Sequence, residues 1–324
     1  MRRRTFLAST VIVSAWSLIW AGGARAQQAK VPVLGVLALG NPPPDNFLRA
    51  LRAGLQQLGY GEGRNIRLEI RNAEGSADRL AGQAAELVAA KADVIVAYQT
   101  PAATAAKEAT SDIPVVFAAT GDPLGTGLIA SYARPGGNLT GTTAGAVEVA
   151  GKTVELIREL LPAARRIAVL ANQTDPFTKP YLAEIRRVAG IMKLEVLPVM
   201  VRPSEPLDAA FATIVADRAE ALVIQGSLVR KDAVELATRH RLPTVGSPHI
   251  LPRLGGLMSY SADFDAMMRE TAGHIDKILK GAKPAELPVT FPSAFEMIVN
   301  LNAAKALGIT IPEAFMQRAN EVIE

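Results

Sequence analysis

The 324-residue sequence contains no cysteine. That absence excludes disulfide bonds, thiolate catalysis, cysteine-bearing metal sites and a lipid-modified cysteine at a processing point. A chain of this kind is held by its apolar core alone. Tryptophan is nearly missing too: Trp16 and Trp20 are the two in the sequence, and both fall in the first twenty-six residues. Three histidines, His240, His249 and His274, are scattered without metal-ligand spacing. No pair of carboxylates has a spacing that demands acid–base catalysis. A basic surplus is also lacking once the N-terminus is set aside. The chain has 35 Lys+Arg against 31 Asp+Glu, but Arg2, Arg3, Arg4 and Arg25 lie at the N-terminus with no acid among them. The rest is balanced at 31 against 31, which argues against a nucleic-acid or anionic-membrane partner. After residue 26 no run has the length and continuous apolarity of a membrane span, so the processed chain is expected to be soluble.

What is present begins with a leader. Arg2-Arg3-Arg4 precede Thr5-Phe6-Leu7, an uncharged apolar run extends to Ala21, and Ala24-Arg25-Ala26 closes the segment. A basic head, an apolar middle and an A-x-A tail are the pattern of a cleavable signal, with the cut expected after Ala26. Arg3-Arg4-Thr5-Phe6-Leu7 also fits twin-arginine export. The alternative is an uncleaved anchor, for which the apolar stretch is short. The expected location is therefore the periplasm.

Beyond the leader, strand and helix patterns alternate. Val31–Leu39 is a buried-strand run, and Phe47–Leu58 has helical apolar spacing and stops at Gly59. Ile66–Ile70 alternates apolar and charged residues, as an outer strand does. Ala77–Ala90 is helical, Val94–Ala97 a strand, Pro101–Thr110 a helix and Pro114–Ala119 a strand. The series then restarts. Helices are expected at Glu148–Leu161, Pro180–Met192, Leu207–Ala216 and Lys231–His240, and strands at Arg166–Ala171, Glu195–Val201, Ala221–Gln225 and Thr244–Gly246. This order predicts an α/β fold of two doubly wound parallel-sheet lobes. In the tail, Gly256–Tyr260 reads as a strand, Asp263–Leu279 as a helix and Leu287–Phe291 as extended. Glu296–Asn300 follows as a strand and Ala303–Leu307 as a helix. Such a tail suits a chain that passes between lobes three times, at Asn138–Thr143, Gly256–Ser259 and Leu287–Phe291. The expected division is 27–142 plus about 258–286 for the N-terminal lobe. The C-terminal lobe takes about 143–257 plus about 287–324.

Ligands of open parallel sheets bind beyond the carboxyl ends of the strands, so the residues after each strand are the candidates. Gly40-Asn41-Pro42-Pro43-Pro44-Asp45 forms a stiff lip carrying Asn41. Tyr98-Gln99-Thr100-Pro101 opens a helix whose free amides suit an anion, although plain capping explains the same residues. Thr120-Gly121-Asp122-Pro123 offers Asp122 to an ammonium, or is an ordinary Asp-Pro turn. The second half offers Asn172-Gln173 and Gln225-Gly226-Ser227, neutral hydrogen-bonding groups, and Tyr260 as an aromatic wall. Enzymatic signatures are weak. Gly151-Lys152-Thr153 lacks the glycine five positions earlier that a phosphate loop needs, where Ala146 stands. Ser247 near His249 is adjacency in sequence, not triad geometry.

Many ordered segments resemble one family. They include Leu58-Gly59-Tyr60, Glu62-Gly63-Arg64-Asn65, Ala73-Glu74-Gly75 and Asp93-Val94-Ile95-Val96-Ala97. Others are Ile113-Pro114-Val115-Val116-Phe117, Gly121-Asp122-Pro123 and Ala133-Arg134-Pro135-Gly136-Gly137-Asn138-Leu139-Thr140-Gly141. Late ones are Gly255-Gly256-Leu257-Met258-Ser259-Tyr260 and Lys277-Ile278-Leu279-Lys280-Gly281. The chain resembles the ABC-transporter substrate-binding proteins of the tryptophan/tyrosine-uptake-like group, periplasmic binding proteins of type I architecture. The resemblance implies a non-enzymatic, cofactor-free, monomeric two-lobe clamp. It would capture an amino acid, aromatic acid or similar small carboxylate and pass it to a permease driven by a separate ATPase. It implies site loops at Gln99-Thr100-Pro101, Thr120-Gly121-Asp122, Asn172 and Gln225, with a carboxylate at Thr100 and an ammonium at Asp122. The chain departs from the family pattern at Asn172-Gln173, where Asn-Pro is usual, at Gln225-Gly226-Ser227, and over Ser247–Arg253. Two other readings stay open: a sensory module presenting a bound solute to a receptor, and a secreted hydrolase-like enzyme using Ser247.

Overall fold

The computed structural model describes residues 30–40 and 45–324. The leader and Asn41 lie outside them. From Pro32 onward the chain builds two α/β lobes. The first sheet contains β1 (Val33–Ala38), β2 (Arg67–Asn72), β3 (Val94–Tyr98), β4 (Val115–Thr120) and β5 (Leu139–Thr143). Its order is β2-β1-β3-β4-β5, all parallel. Helices α1 (Asp45–Gln57), α2 (Ala77–Ala89) and α3 (Gln99–Ala109) connect the strands. The second lobe follows with α4 (Ala146–Leu160), β6 (Arg166–Asn172), α5 (Thr178–Ile191), β7 (Glu195–Val201) and α6 (Asp208–Ala216). It continues with β8 (Ala221–Ile224), α7 (Lys231–Arg239), β9 (Thr244–Gly246) and β10 (Met258–Ala262). After α8 (Phe264–Leu279), the chain ends with β11 (Phe295–Asn300), α9 (Leu301–Leu307), α10 (Glu313–Met316) and β12 (Glu321–Ile323). The second sheet runs β12-β11-β10-β9-β8-β6-β7.

Strand composition follows position. The central strands are buried on both faces and read as unbroken apolar runs, such as VIVAY in β3 and ALVI in β8. β2, with Arg67, Glu69 and Arg71 alternating, is an edge strand. β7 is the opposite edge of the second sheet and tolerates Pro198 there. Alternation splits the first core. Leu37, Ile95, Val115 and Phe117 face α2 and α3, while Leu34, Val36, Val96 and Val116 face α1 and α8.

The late helix α8 belongs to the first lobe. Its Met267, Met268, Ala272 and Ile275 are buried with Phe47, Leu51 and Leu55 of α1. Asp263 caps it by accepting from Ala266 N at 2.8 Å. The chain therefore crosses between lobes three times, and two expected positions are corrected. Met258–Ala262 is not the start of the N-terminal lobe's second segment but a strand of the second sheet, paired with both β9 and β11. The crossing comes at Asp263. The return also lies later than 287: Thr140 Oγ1 donates to Leu287 O, Thr290 bridges Thr142, and Val289 lies in the first core. Because the returning chain re-enters at the end where β10 left, with Ala262 opposite Phe295, β11 is antiparallel to β10. β5, α10 and β12 were not expected as regular elements.

Candidate functional site

The carboxyl ends of β1, β3, β4, β6, β8 and β9 converge on a cavity of about 510 Å³ between the two sheets, where this topology puts ligands. The first lobe supplies Tyr98, Gln99 and Thr100 at the end of β3, and Gly121 after β4. Two non-glycine residues here have left-handed backbone, Gln99 with φ 67° and Ala119 with φ 56°. Ala119 sits where the β4–β5 register slips between Phe117 and Thr120. Such bulges gather beside binding sites because they re-aim the chain. Thr100 Oγ1 accepts from Gly121 N at 3.1 Å and ties the two loops together.

Two groups of aromatic rings stand at the walls. Phe47 stacks on Tyr98 with centroids 4.3 Å apart, Phe264 meets Tyr98 edge-on at 6.5 Å, and His249 lies 4.5 Å from Phe264. Burial lowers the His249 pKa. In the second lobe Phe177 and Tyr181 are 5.6 Å apart. All six line the cavity.

The second lobe also provides a charged group. Asp175, 7% exposed, lines the cavity. Its Oδ1 accepts from Phe177 N at 2.9 Å, and its Oδ2 accepts from Gln225 Nε2 at 3.0 Å and Ser227 Oγ at 3.2 Å. Gln225 is fixed in turn, since its Oε1 accepts from Asn172 N and from Thr178 Oγ1. Burial pushes the Asp175 carboxyl up to about 6, against the lowering effect of its three hydrogen bonds. A cationic group entering the cavity would oppose that desolvation and favour the ionised form.

The lobes touch across the cavity. Gly121 lies under Phe177: a Cβ there would fall 2.3 Å from the ring's Cγ. At the rim, Arg202 of the second lobe lies 3.9 Å from Asp78 of α2.

Of the residues expected from sequence, Gln99, Thr100, Gly121, Gln225 and Ser227 line the cavity together. Asn172, fully buried, supports it from behind by donating to Ser227 Oγ at 3.1 Å. Pro101 and Thr120 are buried next to lining residues without lining the cavity themselves. Asp122 is not brought there. Its Oδ1 accepts from Gly125 N at 2.8 Å and Tyr132 Oη at 3.3 Å, so it organises its own turn. Tyr260 faces the second core and stacks on Phe295 at 5.6 Å. Asn41 lies outside the described residues. Asp175 was not expected. It lies three residues past the end of β6, inside the loop Asn172-Gln173-Thr174-Asp175-Pro176-Phe177. The signal for it is an Asp-Pro pair directly before a helix start at a sheet's carboxyl edge. Ser247 and His249 both line the cavity, but His249 rests on Phe264, and no hydrogen bond joins it to Ser247 among the described residues.

Comparison with known proteins agrees with this architecture. The sequence matches the family described as ABC transporter substrate binding protein over residues 23–323. A tyrosine-binding protein of Clostridioides difficile is 27% identical over 270 residues, covering 82% of this chain and 78% of that protein. A Streptococcus pneumoniae ABC domain solved in complex with L-Trp is 30% identical, with a TM-score of 0.82 over 90% of this chain and 99% of the other. A conserved domain protein of Vibrio cholerae, 27% identical, has a TM-score of 0.83 over 90% of this chain and all of the other. The fold is that of type I periplasmic binding proteins. With a family match over nearly the whole chain, two lobes and a walled cavity between them, the protein belongs to the ABC transporter substrate-binding proteins, which bind solutes rather than transform them.

Proposed function

We propose that the protein is the extracytoplasmic capture component of an ABC uptake system. It takes up a small amino-bearing carboxylate, such as an amino acid, and passes it to a membrane permease with its own ATPase. The observation that carries this reading is the buried Asp175–Gln225–Ser227 cluster facing a cavity walled by aromatic rings. A buried carboxylate fixed on three sides is suited to an ammonium, and flat rings are suited to an apolar body. The start of α3 with Thr100, which lines the cavity, is the corresponding place for a carboxylate. The L-Trp and tyrosine named for relatives support the amino-acid class. The basic, apolar and A-x-A leader supports export to the periplasm, and the chain is proposed to act as a monomer.

Thermal-shift screening against amino acids, aromatic acids and small carboxylates, followed by calorimetry, tests this. Asp175→Ala should cost about 2–5 kcal/mol of binding for an ammonium-bearing hit. Asp122→Ala should leave that affinity unchanged. It should lower stability by about 1 kcal/mol through its lost turn bonds. A hit whose affinity follows Asp122 and ignores Asp175 would reverse the assignment.

A further inference from the structure

The cavity holds more hydrogen-bond donors than the protein uses. Tyr181 is only 4% exposed and lines the cavity, yet its hydroxyl has no hydrogen-bond partner among the described residues. It is also not among the polar atoms sealed from solvent. Tyr98, from the other lobe, lines the same cavity with its hydroxyl equally unpartnered. A buried phenol normally finds a partner, so the open hydroxyls of buried Tyr181 and half-buried Tyr98 on one cavity point to a ligand. Two cations that line the same cavity each face a carboxylate of their own. Arg230 donates to Pro203 O and Glu205 O and lies 2.8 Å from Asp232, while Lys231 lies 3.6 Å from Glu235. The two open phenols are neutral donors on the same cavity, suited to an oxygen of the solute.

We propose that Tyr98 and Tyr181 are specificity-determining residues that donate hydrogen bonds, one from each lobe, to the carboxylate oxygens of the bound solute. This rests on the amino-carboxylate reading above. Since Tyr98 belongs to the first lobe and Tyr181 to the second, the two meet one carboxylate only when the lobes are together. Burial raises both phenols, Tyr98 to about 12, so both stay protonated donors through the neutral range.

Calorimetry with three probes separates the roles: L-phenylalanine, phenethylamine, which lacks the carboxylate, and 3-phenylpropionate, which lacks the ammonium. Tyr98→Phe and Tyr181→Phe should each weaken L-phenylalanine and 3-phenylpropionate about tenfold and leave phenethylamine unchanged. Asp175→Asn should weaken L-phenylalanine and phenethylamine and spare 3-phenylpropionate. The melting temperature of ligand-free Tyr181→Phe should not fall, because the lost hydroxyl has no protein partner. If the phenylalanine variants bind all three probes like the wild type, or lose phenethylamine equally, the proposal fails while the Asp175 reading stands. A wild type that binds none of the probes overturns both. A fall in ligand-free melting temperature would make the Tyr181 hydroxyl structural and overturn its assignment.

Discussion

Asp175 combines deep burial with three accepted hydrogen bonds, and the two act in opposite directions on its charge. Burial wins, so the folded protein holds this proton more tightly than the unfolded chain does. The stabilising contribution is therefore full below about pH 3.8 and is lost as pH rises through about 6, by an amount on the order of 3 kcal/mol. A ligand cation needs the ionised carboxylate, so affinity should move the other way. It should fall as pH drops below about 6, by up to about tenfold per pH unit. Calorimetry at pH 5, 6 and 7 with an ammonium-bearing hit checks this, and flat affinity would mean that the ammonium is held elsewhere. The same residue shows what sequence leaves hidden. Gln225 and Ser227 directly follow a strand and were legible by position alone. Asp175 and Asp122 sit in comparable Asp-Pro turns. Which one faces the cavity depends on where Gly125 and Tyr132, or Gln225 and Ser227, stand in three dimensions.

At the scale of elements, the β4–β5 and β6–α5 loops meet at a close approach, Gly121 under the Phe177 ring. Any side chain at 121 must displace that ring. Gly121→Ala should hold the lobes apart and weaken binding at least about tenfold, since only the closed arrangement makes contacts from both sides. Phe177→Ala in the same chain should recover part of the loss, a coupling that a double-mutant cycle measures. Additive losses would show that the glycine serves some other need. Elements with a strong period were readable in advance: the apolar central strands, the amphipathic α1, and β2 as an outer strand. The short β5, LTGTT, was not, because its threonines and glycine carry little strand signal, and it reads only as a passage between lobes. The position of β10 was obscured for a related reason. A strand that precedes a crossing looks, in sequence, like the crossing itself.

For the whole molecule, the decisive feature is that the first sheet is covered by a helix from far along the chain. α8 follows β10 of the second lobe, yet its apolar face lies on α1, β3 and β4. A fragment ending at Ala262 would leave Phe47, Leu51 and Leu55 without α8 over them. It is expected to lack the cooperative unfolding transition of the full chain, as judged by circular dichroism and thermal melting. A cooperative transition in that fragment would mean that the first lobe is autonomous. If the lobes close on a solute, the three crossings would make that closure a rotation about short segments, two of which leave the first lobe just after the paired Thr142 and Thr290. Small-angle scattering should therefore report a smaller radius of gyration with solute than without.

The late arrival of α8 also governs the order of events during synthesis. A nascent chain displays the greasy underside of its first sheet until residues beyond 260 have left the ribosome. Throughout that interval Phe47, Leu51 and Leu55 have no lid, and the first lobe completes its packing only after most of the second has been made.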